Sequence, residues 1–101
     1  MSYLKIPRFE SPAWLAAVRS VESCVRCGSY GVEAAHRDEG KGMGVKTGDH
    51  LTAALCPSCH HELGNGKKYP REERRNEMNL AILKTFDLLV NMGLVGLKGK
   101  K

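Results

Sequence analysis

The spacing of four cysteines constrains this chain more than any other feature. Cys24-x-x-Cys27 and Cys56-x-x-Cys59 form two knuckles, separated by residues 28–55. A two-residue gap lets both sulfurs of a knuckle reach one ion, and zinc prefers four soft ligands in a tetrahedron. Neither knuckle can close such a site alone. A shared zinc would tie the loop before a first strand to the start of a short helix. It would also fold the intervening chain back on itself as an antiparallel pair. A chain of 101 residues has a small core, which a structural metal would staple. One domain over residues 1–101 is expected.

Local signals place the other elements. Ser11-Pro12 reads as a helix cap followed by proline at the first helical position. A helix over about 12–22 follows, with Trp14, Ala17, Val18 and Val21 on one face. "VEAAH" (Val32 to His36) and "HLTAAL" (His50 to Leu55) are strand candidates, joined by a glycine-rich loop. "CPSCHHEL" starts the short helix, which Gly64-Asn65-Gly66 stops. A long helix spans about 70–92, with Glu72 and Glu73 in its first turn and Gly93 at its end. Met78, Ile82, Phe86 and Leu89, with Leu83 and Val90 beside them, form its apolar stripe. That stripe is a core face or, alternatively, a homodimer face. The fold class is α+β.

Composition narrows the setting. No apolar run approaches the roughly 20 residues of a membrane span, and the start shows no signal-peptide pattern. A cytoplasmic protein is expected, where cysteines serve as metal ligands more readily than as disulfides. A thiol-redox reading of the C-x-x-C pairs lacks the βαβ context it needs. The net charge of +5 fits a polyanionic partner such as nucleic acid as well as it fits a plain solvated basic surface.

Four sulfurs already close the zinc, so the histidines are free for other work. Ligation by three cysteines and His60 is the alternative, because His60 adjoins Cys59. His36 ends the first strand and His60 lies in the first turn of the short helix. A strand pair packed on that helix would bring both near one point.

The ordered set C-x2-C, "AAH", "GKGMGVKTGD" and "LTAALCPSCHHEL" resembles the HNH (ββα-metal) endonuclease superfamily. More narrowly it resembles the small phage and prophage nucleases of the YbcO and Rap type, over roughly Cys24 to Lys67. The resemblance implies a ββα-metal finger with a structural zinc, flanked by the N-terminal and C-terminal helices. It implies hydrolysis of DNA phosphodiester bonds, with His36 as general base and His60 as ligand of a catalytic Mg²⁺ or Mn²⁺, or a second Zn²⁺. Asp49 matches the residue that orients the base and the loop. The four cysteines match the structural zinc ligands.

Two departures stand out. Ala35 occupies the place where many members carry a second metal ligand, and Gly64 lies four residues after His60, where many carry a third. Asn65, Asp49 and His61 are the remaining candidates for a second protein ligand. Lys41, Lys46, Lys67 and Lys68 flank the motif and are candidate phosphate contacts. Arg71, Arg74 and Arg75 also flank it, and Arg74 and Arg75 read better as a solvated face among Glu72, Glu73 and Glu77. His50 and His61 read as exposed or supporting groups, and Glu33 and Glu62 as surface charges. The expected partner is DNA, with a recombination or replication protein as a further candidate. The competing class is a non-catalytic zinc-knuckle module that binds nucleic acid or a partner protein.

Overall fold

A computed structural model describes residues 9–37, 48–64 and 68–96. Asn65, Lys41, Lys46 and Lys67 lie outside them. The elements are α1 (Pro12–Arg19), β1 (Glu33–His36), β2 (Thr52–Leu55), α2 (Pro57–Gly64) and α3 (Arg71–Asn91). This is a small α+β arrangement: a two-stranded antiparallel sheet and three helices around four clustered cysteines.

α1 starts as its cap predicts, with Ser11 Oγ accepting the Trp14 N–H at 3.1 Å. It ends at Arg19, short of the expected residue 22. The reason lies in the knuckle that follows. Glu22 takes φ +74, a left-handed conformation, and Ser23 bridges to Tyr30. The chain must leave helical geometry there to enter the cysteine loop.

β1 and β2 pair with Glu33 opposite Leu55, Ala34 opposite Ala54, Ala35 opposite Ala53 and His36 opposite Thr52. Alternation along a strand sends neighbouring side chains to opposite faces. Ala35, Ala53 and Leu55 join Cys24, Cys56, Cys59, Leu63, Met78, Ala81 and Ile82 in one core cluster. Ala34 and Ala54 face the other way, toward Val18 and Leu89, with Trp14, Ala17 and Val21 packed around them. The alanines let α2 and α3 approach one face and α1 the other, and all four β2 residues are buried.

β2 has β1 on one side only, so its outer edge needs partners. Ala54 supplies both edge groups. Its carbonyl accepts the Val25 N–H at 3.0 Å, and its N–H donates to Thr85 Oγ1 at 3.0 Å. Thr85 in turn donates to the Ala81 carbonyl at 2.8 Å.

This contact shifts the buried stripe of α3 from the one expected. Met78, Ala81, Ile82, Thr85 and Leu89 are buried, whereas Leu83, Phe86 and Val90 are exposed. Close approach of the β2 backbone demands small side chains at 81 and 85. Phe86 instead lies at the margin, its ring stacked beside Trp14 at 6.5 Å between centroids. α3 ends where Gly93 takes φ +77 and Leu94 N–H reaches back to the Leu89 carbonyl, a glycine-terminated cap. No helix among the described residues is long and apolar enough to cross a membrane.

Thr85→Val keeps the side-chain shape but removes the acceptor, leaving the Ala54 N–H buried and unpaired. A loss of about 1–3 kcal/mol is expected in denaturant unfolding, with Thr85→Ser closer to wild type. Unchanged stability in Thr85→Val would show that the edge is satisfied without Thr85.

Candidate metal centre and histidine pairs

The cysteine loop is built to aim sulfur inward. Gly28 takes φ +83, and its N–H donates to the Cys24 carbonyl at 2.8 Å. That turn presents the N–H groups of Arg26 and Cys27 to Cys24 Sγ, each at 3.4 Å. In the second knuckle the Cys59 N–H points at Cys56 Sγ at 3.5 Å, and the His60 N–H caps the Cys56 carbonyl at 2.8 Å.

The four Sγ atoms lie within 4.8 Å of one another, with Cys27 and Cys56 at 3.6 Å. A tetrahedral zinc with bonds near 2.3 Å would set sulfurs about 3.8 Å apart. The donor set and spacing therefore fit zinc. Among the described residues this is the one group of three or more such ligands.

The thiols are not equivalent. The Ser29 hydroxyl and N–H bring Cys27 down to about 6. Burial pushes Cys59 up to about 12. Burial also raises Cys24, but N–H groups of Cys56, Cys27 and Arg26 outweigh it and leave this thiol below its ordinary value.

Arg26, inside the first knuckle, clasps the centre from outside. Its Nη1 reaches Cys59 Sγ at 3.4 Å and Glu62 Oε1 at 2.9 Å. Its Nε reaches Glu77 Oε1 at 3.4 Å, and its guanidinium lies 5.6 Å from the centre of the Tyr69 ring. One side chain thus joins the knuckle, α2 and α3, while offsetting thiolate charge. Sequence spacing does not reveal this role, although an arginine between two knuckle cysteines, with glutamates on the neighbouring helices, is its signal. Glu62, read as a surface charge, is a partner in this clasp.

His36 stands at the far end of β1. Its Nε2 is 2.8 Å from Asp49 Oδ1. Asp49 is buried, while the His36 side chain keeps about a third of its surface exposed. Several contacts hold Asp49 in place. Its Oδ2 accepts the Ser11 N–H at 2.7 Å, its N–H donates to the Phe9 carbonyl at 2.8 Å, and its carbonyl accepts from Thr52 Oγ1 at 3.0 Å. An ionised carboxylate only accepts. A neutral His36 therefore carries its proton on Nε2 and leaves Nδ1 as a base. The cap of α1 and the turn before β2 together set this geometry, and no sequence motif marks Ser11 as part of it.

The same turn explains His50. Its ring packs edge-on to Phe9 at 5.1 Å and to Trp14 at 6.3 Å. A Cβ at Gly48 would fall 2.6 Å from that ring, so glycine makes the room.

His60 has a different partner. Its Nδ1 is 2.6 Å from Glu33 Oε1. Glu33 and His36 are three residues apart on one strand, roughly 10 Å at the usual rise, and project to opposite faces. The expected meeting of His36 and His60 near one point is therefore not found: His36 pairs with Asp49 at one end of β1 and His60 with Glu33 at the other, because Glu33 and His36 face opposite sides of the strand.

No family model, curated protein or solved structure matches the chain.

The basic residues are partly engaged. Lys68 Nζ lies 3.8 Å from Glu62 Oε2 and 5.4 Å from the Tyr69 ring centre, on an exposed side chain. Arg74 is not a freely solvated cation. Its Nη1 donates to the Gly64 carbonyl and its Nε to the Tyr69 carbonyl, capping the end of α2. His61 is exposed.

Proposed function

We propose that this chain is a metal-dependent DNA endonuclease of the HNH type, with His36 as general base and the four cysteines as a structural zinc site. The observation that carries this reading is the His36–Asp49 pair. A part-exposed imidazole is fixed in one tautomer by a buried carboxylate, the arrangement a water-activating base requires. His36 Nδ1 would take a proton from water, and Asp49 would hold the ring and stabilise the imidazolium that forms. Asp49 directs its two oxygens at His36 and Ser11, which supports a role beside the base.

His60 would hold the catalytic ion, with Asn65 or His61 as the remaining candidates for a second ligand. Mg²⁺ or Mn²⁺ typically takes few protein ligands and completes its shell with water and phosphate. When bound, the ion supplies charge neutralisation at the scissile phosphate. Lys68, together with Lys41, Lys46 and Lys67, would contact the DNA backbone, in keeping with the net charge of +5.

Three observations favour the other class, a zinc-knuckle binding module. His36 and His60 stand at opposite ends of β1, each with its own carboxylate, Ala35 is buried on the cysteine face, and the described residues hold no second group of three potential ligands. A supercoiled-plasmid assay with Mg²⁺ or Mn²⁺ separates the two. Nicking by wild type but not by His36→Ala is expected. Zinc-loaded wild type that leaves the plasmid intact would favour the binding module.

A further inference from the structure

α3 carries apolar residues on two sides. Met78, Ala81, Ile82, Thr85 and Leu89 are buried, yet Leu80, Leu83, Phe86 and Val90 are between 44 and 64% exposed. At 3.6 residues per turn, Leu83 and Val90 fall in line on the side away from the buried set, with Leu80 and Phe86 to either side of that line. A surface helix normally shows one apolar stripe and a polar opposite face. Thr85 fixes which side meets β2, through its bond from the Ala54 N–H, so the second stripe cannot turn inward. Phe86 stacks beside Trp14, and Phe9 lies edge-on to that ring at 5.9 Å, which widens the patch. A contiguous apolar patch left in water marks an interaction site.

The layout of the patch selects a second copy of this chain as its occupant. Lys84 and Asp87, both exposed, lie three residues apart on the same flank of the stripe. In an antiparallel two-fold pairing that flank meets itself with its direction reversed. Leu83 of each copy then lies against Val90 of the other, and Lys84 of each comes near Asp87 of the other. A parallel pairing would set this flank against the Phe86 side and bring neither charge to its opposite. The exposed apolar surface comes to roughly 400 Å² per copy, and with its polar flanks a pair would bury about 1,000–1,400 Å², the low end of specific interfaces. That area suits a reversible dimer rather than an obligate one.

We propose that the outer face of α3 is a homodimer interface, in which two copies pair antiparallel through Leu83, Phe86 and Val90 with Lys84 and Asp87 as matched charges. The proposal does not depend on the catalytic reading.

The test is sedimentation equilibrium of the zinc-loaded full chain over about 1–300 μM, the range of a modest affinity. Circular dichroism and a melting temperature accompany each variant. Wild type is expected to pass reversibly from monomer to dimer across that range. Leu83→Asp should fold as wild type does, since the position is exposed, and should dimerise at least about 10-fold more weakly. Val90→Asp, on the other half of the same contact, should do the same and guards against a local folding defect at residue 83. Lys84→Glu should weaken the dimer, and Lys84→Glu combined with Asp87→Lys should recover most of that loss. A wild type that stays monomeric throughout overturns the proposal and leaves the patch to a different protein. Wild-type dimerisation in folded Leu83→Asp and Val90→Asp places the interface elsewhere and also overturns it. A charge swap no better than Lys84→Glu alone overturns the antiparallel pairing.

Discussion

Cys56→Ala is expected to abolish cooperative folding. Cys56 sits at the junction of β2 and α2, is buried, and has its sulfur 3.6 Å from Cys27 across the two knuckles. Structural zinc sites in small domains supply about 10–16 kcal/mol at neutral pH. Whole domains are stable by only about 5–15 kcal/mol. Here the metal has little to fall back on, because the sheet is four alanines with Glu33, His36, Thr52 and Leu55. Removing one thiolate also leaves Arg26 clasping a weakened centre. Far-ultraviolet circular dichroism with thermal melting reads the outcome, and a chelator should reproduce it in wild type. A folded, cooperatively melting Cys56→Ala protein would show that the core suffices without the metal. Acid should act in the same direction. Cysteine binds zinc as the thiolate. Protons compete with zinc for the thiols, so affinity and stability fall together as pH falls.

How much of this was legible in the sequence depends on whether the controlling contact is local. Ser11-Pro12 and Gly93 are local signals, and α1 and α3 begin and end close to them. The knuckle spacing is nearly local, since each pair is closed by its own turn, and the four sulfurs do cluster. The end of α1 is not a local matter: the Ser23–Tyr30 bridge, not helix propensity, decides it. An apolar count puts Phe86 in the α3 stripe, but it cannot see that the β2 edge at Ala54 takes a hydroxyl at Thr85. Arg26 and Glu33 have the same character. Their partners are 33 to 51 residues away for Arg26 and 27 for Glu33, so no local spacing pairs them.

The second large effect expected is on cleavage, at the His36–Asp49 pair. His36→Ala removes the proposed base, and a positioned general base contributes about 10²–10⁴-fold in rate. The fold should survive, because His36 lies outside the cysteine centre and is part-exposed. Asp49→Asn is the sharper probe. If the asparagine oxygen keeps the bond from the Ser11 N–H, its amide nitrogen faces His36 Nε2. That nitrogen can only donate, so the ring must move its proton to Nδ1, and the base is lost although every atom stays close to its place. A comparable drop in nicking is therefore expected in Asp49→Asn, with little further loss in the double variant, because the two residues act as one unit. Plasmid nicking by the single and double variants, with melting temperatures alongside, checks this. Full activity in a folded Asp49→Asn protein would show that the carboxylate does not set the tautomer. Multiplicative losses in the double variant would show that the two residues act separately.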